Sequence, residues 1–273
     1  MALLLISRGS FSGCDSIRRC LPEISGIRCL TREDLVAEVN THGEIATKIV
    51  ATMAKAAQDY GALSALRRPY KILMQRALLE YARQGDVAYF GYSGHLLLSG
   101  IAHIARVRII APVQQRVQVL MKREGVSAEA AEERIRQQDE ERNRWTRFMY
   151  GKSLNDLSLY DTCINLERIS YSTACCLLQN LALQREFKPT PESLAAVENA
   201  YLAACVLATL VDNPRTSELE MGATAKDGRV TLEGPYLSDE ERAVVLDAAK
   251  AVPGVAEVCY TEGYAPAFDL TSV

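Results

Sequence analysis

The residues able to do chemistry gather in two places. The first is the loop Gly9-Ser10-Phe11-Ser12-Gly13-Cys14-Asp15-Ser16, between an apolar run at 3–6 and a helical segment. A strand, a Gly/Ser loop and a helix N-terminus make the layout of a phosphate site, because free backbone N–H groups and the helix dipole both favour an anion there. In the full pattern GxxxxGK[ST], a lysine follows the second glycine and a hydroxyl faces Mg²⁺. Here Cys14 and Asp15 follow Gly13, and Ser16 supplies the hydroxyl. Asp15 sets a negative charge where phosphate would sit, so a metal ion or an arginine must offset it. A plain strand-to-helix turn is the alternative. The second place is RIRQQDEERNRWTRFMYGK at 134–152, where acidic residues stop at Glu141 and Arg142, Arg144, Arg147 and Lys152 continue alone. Glu–Arg pairs on a solvated helix, worth about 0.2–0.5 kcal/mol each, are the plain reading. The other is phosphoryl transfer, which needs donors for three equatorial oxygens, and arginine's planar, permanently charged fork suits that. Asp139 and Arg142, three apart, share a helix face.

Other reactive types read more plainly. The eight cysteines form no CxxC pair and lie mostly in apolar runs, as expected of reduced thiols in a cytoplasmic protein. His42, His95 and His103 show no metal-ligand spacing, and the latter two read as packing or cap residues. Cys14 at a helix start is a candidate redox-sensitive thiol, opposed by the charge of Asp15. Tyr89, Phe90 and Tyr92 read as core aromatics before base-stacking ones. Arg67-Arg68-Pro69-Tyr70 reads as a solvated loop or a contact to an acceptor phosphate. Trp145 would anchor the arginine-rich helix to the core.

The elements that must position these residues follow from periodicity and punctuation. Apolar runs at 3–6, 86–91, 105–112 and 161–166 read as buried strands. Helical spacing covers 15–21 up to Pro22, 31–40, 44–60, 70–84, 113–124, 127–150 and 172–185. Strands separated by helices argue for a parallel sheet covered on both faces. The two prolines in Glu186-Phe187-Lys188-Pro189-Thr190-Pro191 mark a domain boundary, giving domains at 1–187 and 190–273. Beyond it come an apolar helix at 192–211, a hairpin turning at Lys226-Asp227-Gly228, a capping box of Ser238 with Glu241, and a last strand at 255–260. This tail reads as a small α+β module.

Composition excludes several classes. Lys and Arg number 31 against 34 Asp and Glu, for a formal charge of −3, which argues against a general nucleic-acid binder. No apolar stretch is expected to reach the length of a membrane span, and the N-terminal run lacks the features of a secretory signal.

In the order of its motifs, the chain over roughly 1–187 resembles the cytidylate-kinase-like family of P-loop nucleoside monophosphate kinases. The resemblance rests on Ile6-Ser7-Arg8 before Phe11-Ser12-Gly13, and on Gly26-Ile27-Arg28-Cys29-Leu30-Thr31. It continues through Arg108-Ile109-Ile110-Ala111-Pro112, Lys122 to Ser127, Asp139 with Arg142, and Tyr160 to Asn165. It implies a three-layer α/β/α P-loop NTPase-type fold and transfer of the ATP γ-phosphoryl group to a nucleoside monophosphate such as CMP, with Mg²⁺. By resemblance, Ser10, Phe11, Ser12, Gly13, Cys14, Asp15 and Ser16 would hold the donor phosphates. Ser16 would assist Mg²⁺, and Asp139 and Arg142 would belong to a catalytic lid. Many relatives carry glycine where Cys14 stands. The family's Gly-Arg after the strand at 86–91 is Gly91-Tyr92 here. The tail over about 190–261 resembles a BON domain, which implies a module for protein partners or membranes. Two functional readings follow: an ATP-dependent nucleotide kinase, or a nucleotide-binding sensor without turnover whose BON-like tail binds a partner.

Overall fold

A computed structural model describes residues 3–41, 43–55, 60, 63–91 and 93–263. The chain divides into two compact units. The first comprises the described residues within Met1–Arg32, Gly85–Leu98 and Ala102–Thr190, and the second those within Glu33–Gln84, Ser99–Ile101 and Pro191–Val273. Tyr92 and His42 lie outside the described residues.

The first unit is built on five parallel strands: β1 (Leu3–Arg8), β2 (Arg28–Thr31), β3 (Val87–Gly91), β4 (Ile104–Ile110) and β5 (Thr162–Asn165), in the order β2-β3-β1-β4-β5. Central β1 is buried from Leu3 to Ser7. A parallel strand covered on both faces reads as a continuous apolar run for this reason. Helices α1 (Cys14–Ser25) and α7 (Tyr171–Ala182) pack together, and Ile17, Leu21 and Leu178 join Leu4, Ile6, Phe90 and Ile109 in one core. Two more helices, α5 (Val113–Glu124) and α6 (Ala128–Tyr150), form a hairpin around Val117, Leu120, Ala131 and Ile135. Ser127 caps α6, its hydroxyl accepting from the Ala130 N–H at 3.2 Å. The result is the parallel sheet with flanking helices expected of a P-loop-type α/β domain.

Pro22 does not end α1. The helix continues to Ser25 and stops at Gly26, whose left-handed backbone donates its N–H to the Pro22 carbonyl at 2.8 Å. One missing N–H is tolerated here because α1 is packed along its length, whereas glycine at C′ supplies the stop.

The second unit contains α2 (Arg32–Val39) from Glu33 onward, α3 (Glu44–Lys55), α4 (Arg67–Gln84), α8 (Pro191–Asp212) and α9 (Asp239–Lys250). It also contains the strands β6 (Gly222–Lys226), β7 (Arg229–Gly234) and β8 (Glu257–Glu262). The β6–β7 pair is antiparallel and β7–β8 parallel. Asp227 and Gly228 both take positive φ, at 50° and 83°, in the tight hairpin turn. The Ser238–Glu241 capping box is formed. Helix α8 forms where the sequence places it, but the expectation that no apolar stretch reaches the length of a membrane span does not hold. A segment from Arg185 to Asp212 is long and apolar enough by composition to cross a membrane. Helix packing accounts for that apolarity: α8 touches α3, α4, α9 and β6, and Val197, Val206, Leu207 and Leu210 are buried. Asp212 ties its end to α3, accepting from the Ala46 N–H at 3.2 Å.

Candidate phosphate-loop site

The loop leaves β1 at Gly9, whose N–H donates to the Ile109 carbonyl on β4 at 3.0 Å. Two residues then take positive φ, Phe11 at 53° and Gly13 at 79°. A phenylalanine in this region is strained by about 1–2 kcal/mol, so packing must hold it. Its ring packs against the α5–α6 cluster, and the Arg134 guanidinium lies 6.0 Å from its centroid. At Gly13 no Cβ is tolerated: one would meet the Tyr171 hydroxyl at 2.1 Å. Among the described residues no side chain caps the head of α1. Its first N–H groups therefore have no partner within the helix.

The loop's side chains divide by direction. Ser10 and Ser12 are buried, and the Ser10 hydroxyl has no hydrogen-bond partner among the described residues. The Ser12 hydroxyl lies 3.0 Å from the Cys14 sulfur. Burial pushes the Cys14 thiol up, outweighing the Ser12 hydrogen bond and the nearby Arg8 charge. That overturns its candidacy as an activated thiol. Asp15 turns outward, 62% exposed, with Arg18 at 3.9 Å. Its charge is therefore directed to solvent, and the conflict expected with a phosphate is reduced. Ser16 is half-buried, and its N–H donates to the Gly13 carbonyl at 3.1 Å.

Both candidates on α6 reach this loop through different contacts. Arg116, on α5 and 8% exposed, donates from Nε to the Ser10 carbonyl at 2.7 Å and from Nη2 to the Asp139 carboxylate at 2.5 Å. Asp139 thus orients the arginine that clamps the loop backbone. Arg142 extends Nη1 to within 3.5 Å of the Arg8 carbonyl, at the exit of β1. The earlier part of α6 follows the solvated-helix reading, with Arg136 held by Glu133 and Glu140, each at 2.7 Å, and Arg134 paired with Glu124. Trp145 is half-buried against Phe148 and is not part of the core.

Beside the loop, Arg108 on β4 donates to the Ser7 hydroxyl at 2.8 Å. The Tyr160 hydroxyl donates to the Leu154 carbonyl at 3.1 Å and lies 3.4 Å from the same Ser7 oxygen. His95 stacks on Tyr160 at 4.6 Å between centroids. Burial, then the charges of Arg108 and Arg106, hold His95 neutral and its pKa down to about 3. His95 and His103 are both buried, in keeping with packing roles, and so are Tyr89 and Phe90. Sequence reading missed Arg116 and Tyr171. Neither lies in the loop or the arginine-rich run, and the one signal for Arg116 was a basic residue on the apolar side of a short helix.

The donor set fits a phosphate-bearing group in one respect: an uncapped helix head opens from a left-handed glycine. For Mg²⁺ it offers Ser16 only. Among the described residues, no group of three or more His, Cys, Asp or Glu side chains could hold a metal. Such an ion would depend on phosphate oxygens and water for its remaining ligands.

Comparison with known proteins agrees with this architecture. Residues 6–168 match the cytidylate kinase-like family, and residues 199–262 match the BON domain. A cytidylate kinase of Ignicoccus hospitalis is 23% identical over 167 residues, covering 60% of this chain and 90% of that relative. A cytidylate kinase of Pyrococcus horikoshii is 29% identical over 97 residues, covering 36% of this chain and 50% of the relative. The solved structure of an uncharacterized protein from Eubacterium ventriosum shares the fold at a TM-score of 0.54 and 17% identity. That match covers 68% of this chain and the whole of the other. With the parallel sheet, the loop and more than half of its length in agreement, the chain belongs to the cytidylate kinase-like family and carries a BON domain at 199–262.

Proposed function

We propose that this chain is a nucleotide kinase that takes the γ-phosphoryl group of ATP to a nucleoside monophosphate such as CMP. The observation that carries this reading is the uncapped head of α1 behind Gly13, with Arg142 reaching the same strand end. Backbone N–H groups of the loop from Ser10 to Asp15 hold the donor phosphates, and Ser16 offers its hydroxyl to Mg²⁺. When bound, Mg²⁺ supplies charge neutralisation at the phosphate oxygens. Arg142 stabilises charge that develops on the transferring group. Asp139 is a positioning residue: it holds Arg116, which holds the Ser10 carbonyl. The relatives' names as cytidylate kinases support CMP as the acceptor to try first. All eight cysteines are free, which supports a cytoplasmic setting.

A second reading has a specific observation behind it. Cys14 stands where the common motif has lysine, and Arg116 is already engaged by Ser10 and Asp139. A loop with those cations missing or occupied would bind nucleotide without turnover, and the BON domain would pass its state to a protein partner. Calorimetry with ATP and CMP in the presence of Mg²⁺, followed by ADP release with each nucleoside monophosphate, separates the two. Acceptor-dependent ADP release that falls in Arg142→Ala establishes the kinase. Binding without turnover establishes the sensor, and no binding overturns both.

A further inference from the structure

The common phosphate-loop motif draws its cation from the position after the second glycine, and Cys14 leaves that position uncharged. A triphosphate held by backbone N–H groups alone lacks the charge that the lysine supplies. Several arginines around the loop already have partners. Arg116 holds the Ser10 carbonyl and Asp139, Arg134 pairs with Glu124, and Arg18 lies 3.9 Å from Asp15. Arg108 donates to the Ser7 hydroxyl at 2.8 Å. Arg67 and Arg68 form the first turn of α4 in the other unit rather than a solvated loop.

Arg8 differs from these. It ends β1, immediately before Gly9, and is half-buried. Its carbonyl accepts from Arg142, but among the described residues no hydrogen bond or ion pair holds its guanidinium. Strand alternation sets its direction. Ser7 faces Arg108 and Tyr160, so Arg8 leaves the sheet on the opposite face, with Leu4 and Ile6. Those two residues share a core with Cys14 and Ile17 of α1. Arg8 therefore stands beside the head of α1, and its positive charge acts on the Cys14 thiol against the effect of burial. Asp15 does not neutralise it, because that carboxylate turns outward beside Arg18. The result is a cation with its donors unspent, next to a helix head with no side-chain cap.

We propose that Arg8 takes the place of the missing lysine, its guanidinium pairing with the β- and γ-phosphate oxygens of the donor nucleotide from the strand side of the loop. The assignment rests on the reading of the loop as a donor-phosphate site, and it holds for the kinase and the sensor alike. Arginine suits this approach because its fork takes two phosphate oxygens at once. The test is calorimetry of the full chain with ATP and Mg²⁺, together with thermal unfolding, for Arg8→Met, Arg8→Lys and Arg18→Met. Arg8→Met keeps the stem and removes the charge. It is expected to lose at least about tenfold in ATP affinity, the scale of one charge-assisted hydrogen bond, and to melt no lower than the parent. Arg8→Lys should keep most of the affinity, and Arg18→Met should stay within about twofold of the parent, as for an exposed charge. Undiminished ATP binding by Arg8→Met overturns the assignment and leaves the phosphate-loop reading standing. An equal loss in Arg18→Met overturns it as a general charge effect. A lowered melting temperature in Arg8→Met with affinity also lost in Arg8→Lys gives the residue a structural role instead and overturns it. A parent chain that binds no ATP overturns the loop reading and this assignment with it.

Discussion

The phosphate loop and the C-terminal hairpin both turn through residues of positive φ: Phe11 and Gly13 in one, Asp227 and Gly228 in the other. What holds them differs. In the hairpin, the turn joins two strands that pair directly, Lys226 with Arg229, and its further bonds include a backbone one from Ala256 to the Gly228 carbonyl and one from the Asp227 N–H to Asn199. In the loop, the restraints come from far along the chain. Arg116 grips the Ser10 carbonyl, Asp139 grips Arg116, and Tyr171 lies against Gly13. A turn held chiefly by the pairing of the strands it joins is a folding device. A turn of strained residues held by distant side chains has its stability and its ligand site maintained by the same contacts.

This contrast can be broken most directly at Arg116. Arg116→Ala leaves the Ser10 carbonyl and Asp139 without their donor, and we expect a stability loss of about 3 kcal/mol in urea denaturation. Nucleotide binding in calorimetry should fall with it. Full stability in that variant would show that the loop is held locally after all.

Gly13→Ala comes next. The left-handed backbone costs about 1 kcal/mol and the clash with Tyr171 about as much again. Adding Tyr171→Ala should return the steric part only, which a double-mutant cycle by denaturation resolves.

Acid stability tests the first unit through His95. Its folded pKa of about 3 lies below the value of about 6.5 in the unfolded chain. The unfolded chain therefore binds the extra proton between those values. Stability is fully present above about pH 6.5 and declines as pH falls toward 3, by about 1.4 kcal/mol per pH unit within that window. Melting curves across this range should be flatter for His95→Phe. No histidine lies in residues 191–273, so a matching slope in local unfolding of the C-terminal segment would contradict the assignment.

Ser238→Ala has the smallest expected effect. Loss of the cap should cost about 1 kcal/mol, read in the same denaturation assay, and leave nucleotide binding unchanged. A change in binding would show that the tail and the loop are coupled.

Sequence alone determined the local features. The apolar run at β1 and the Gly/Ser loop after it were legible, as were the Asp227-Gly228 turn and the Ser238–Glu241 cap, because each is set by residues within a few positions. Asp139 and Arg142 were legible as a shared helix face for the same reason. Tertiary structure decided how those features are used. It decided that Asp139 reaches the loop through Arg116 and that Asp15 turns away. It also decided that Glu33–Gln84 pack with the C-terminal segment, as where Asp212 meets the start of α3. These outcomes depend on how whole elements pack, as where Arg116 meets Ser10 and Asp212 meets Ala46 across more than a hundred residues, and no local pattern of residue types encodes that packing.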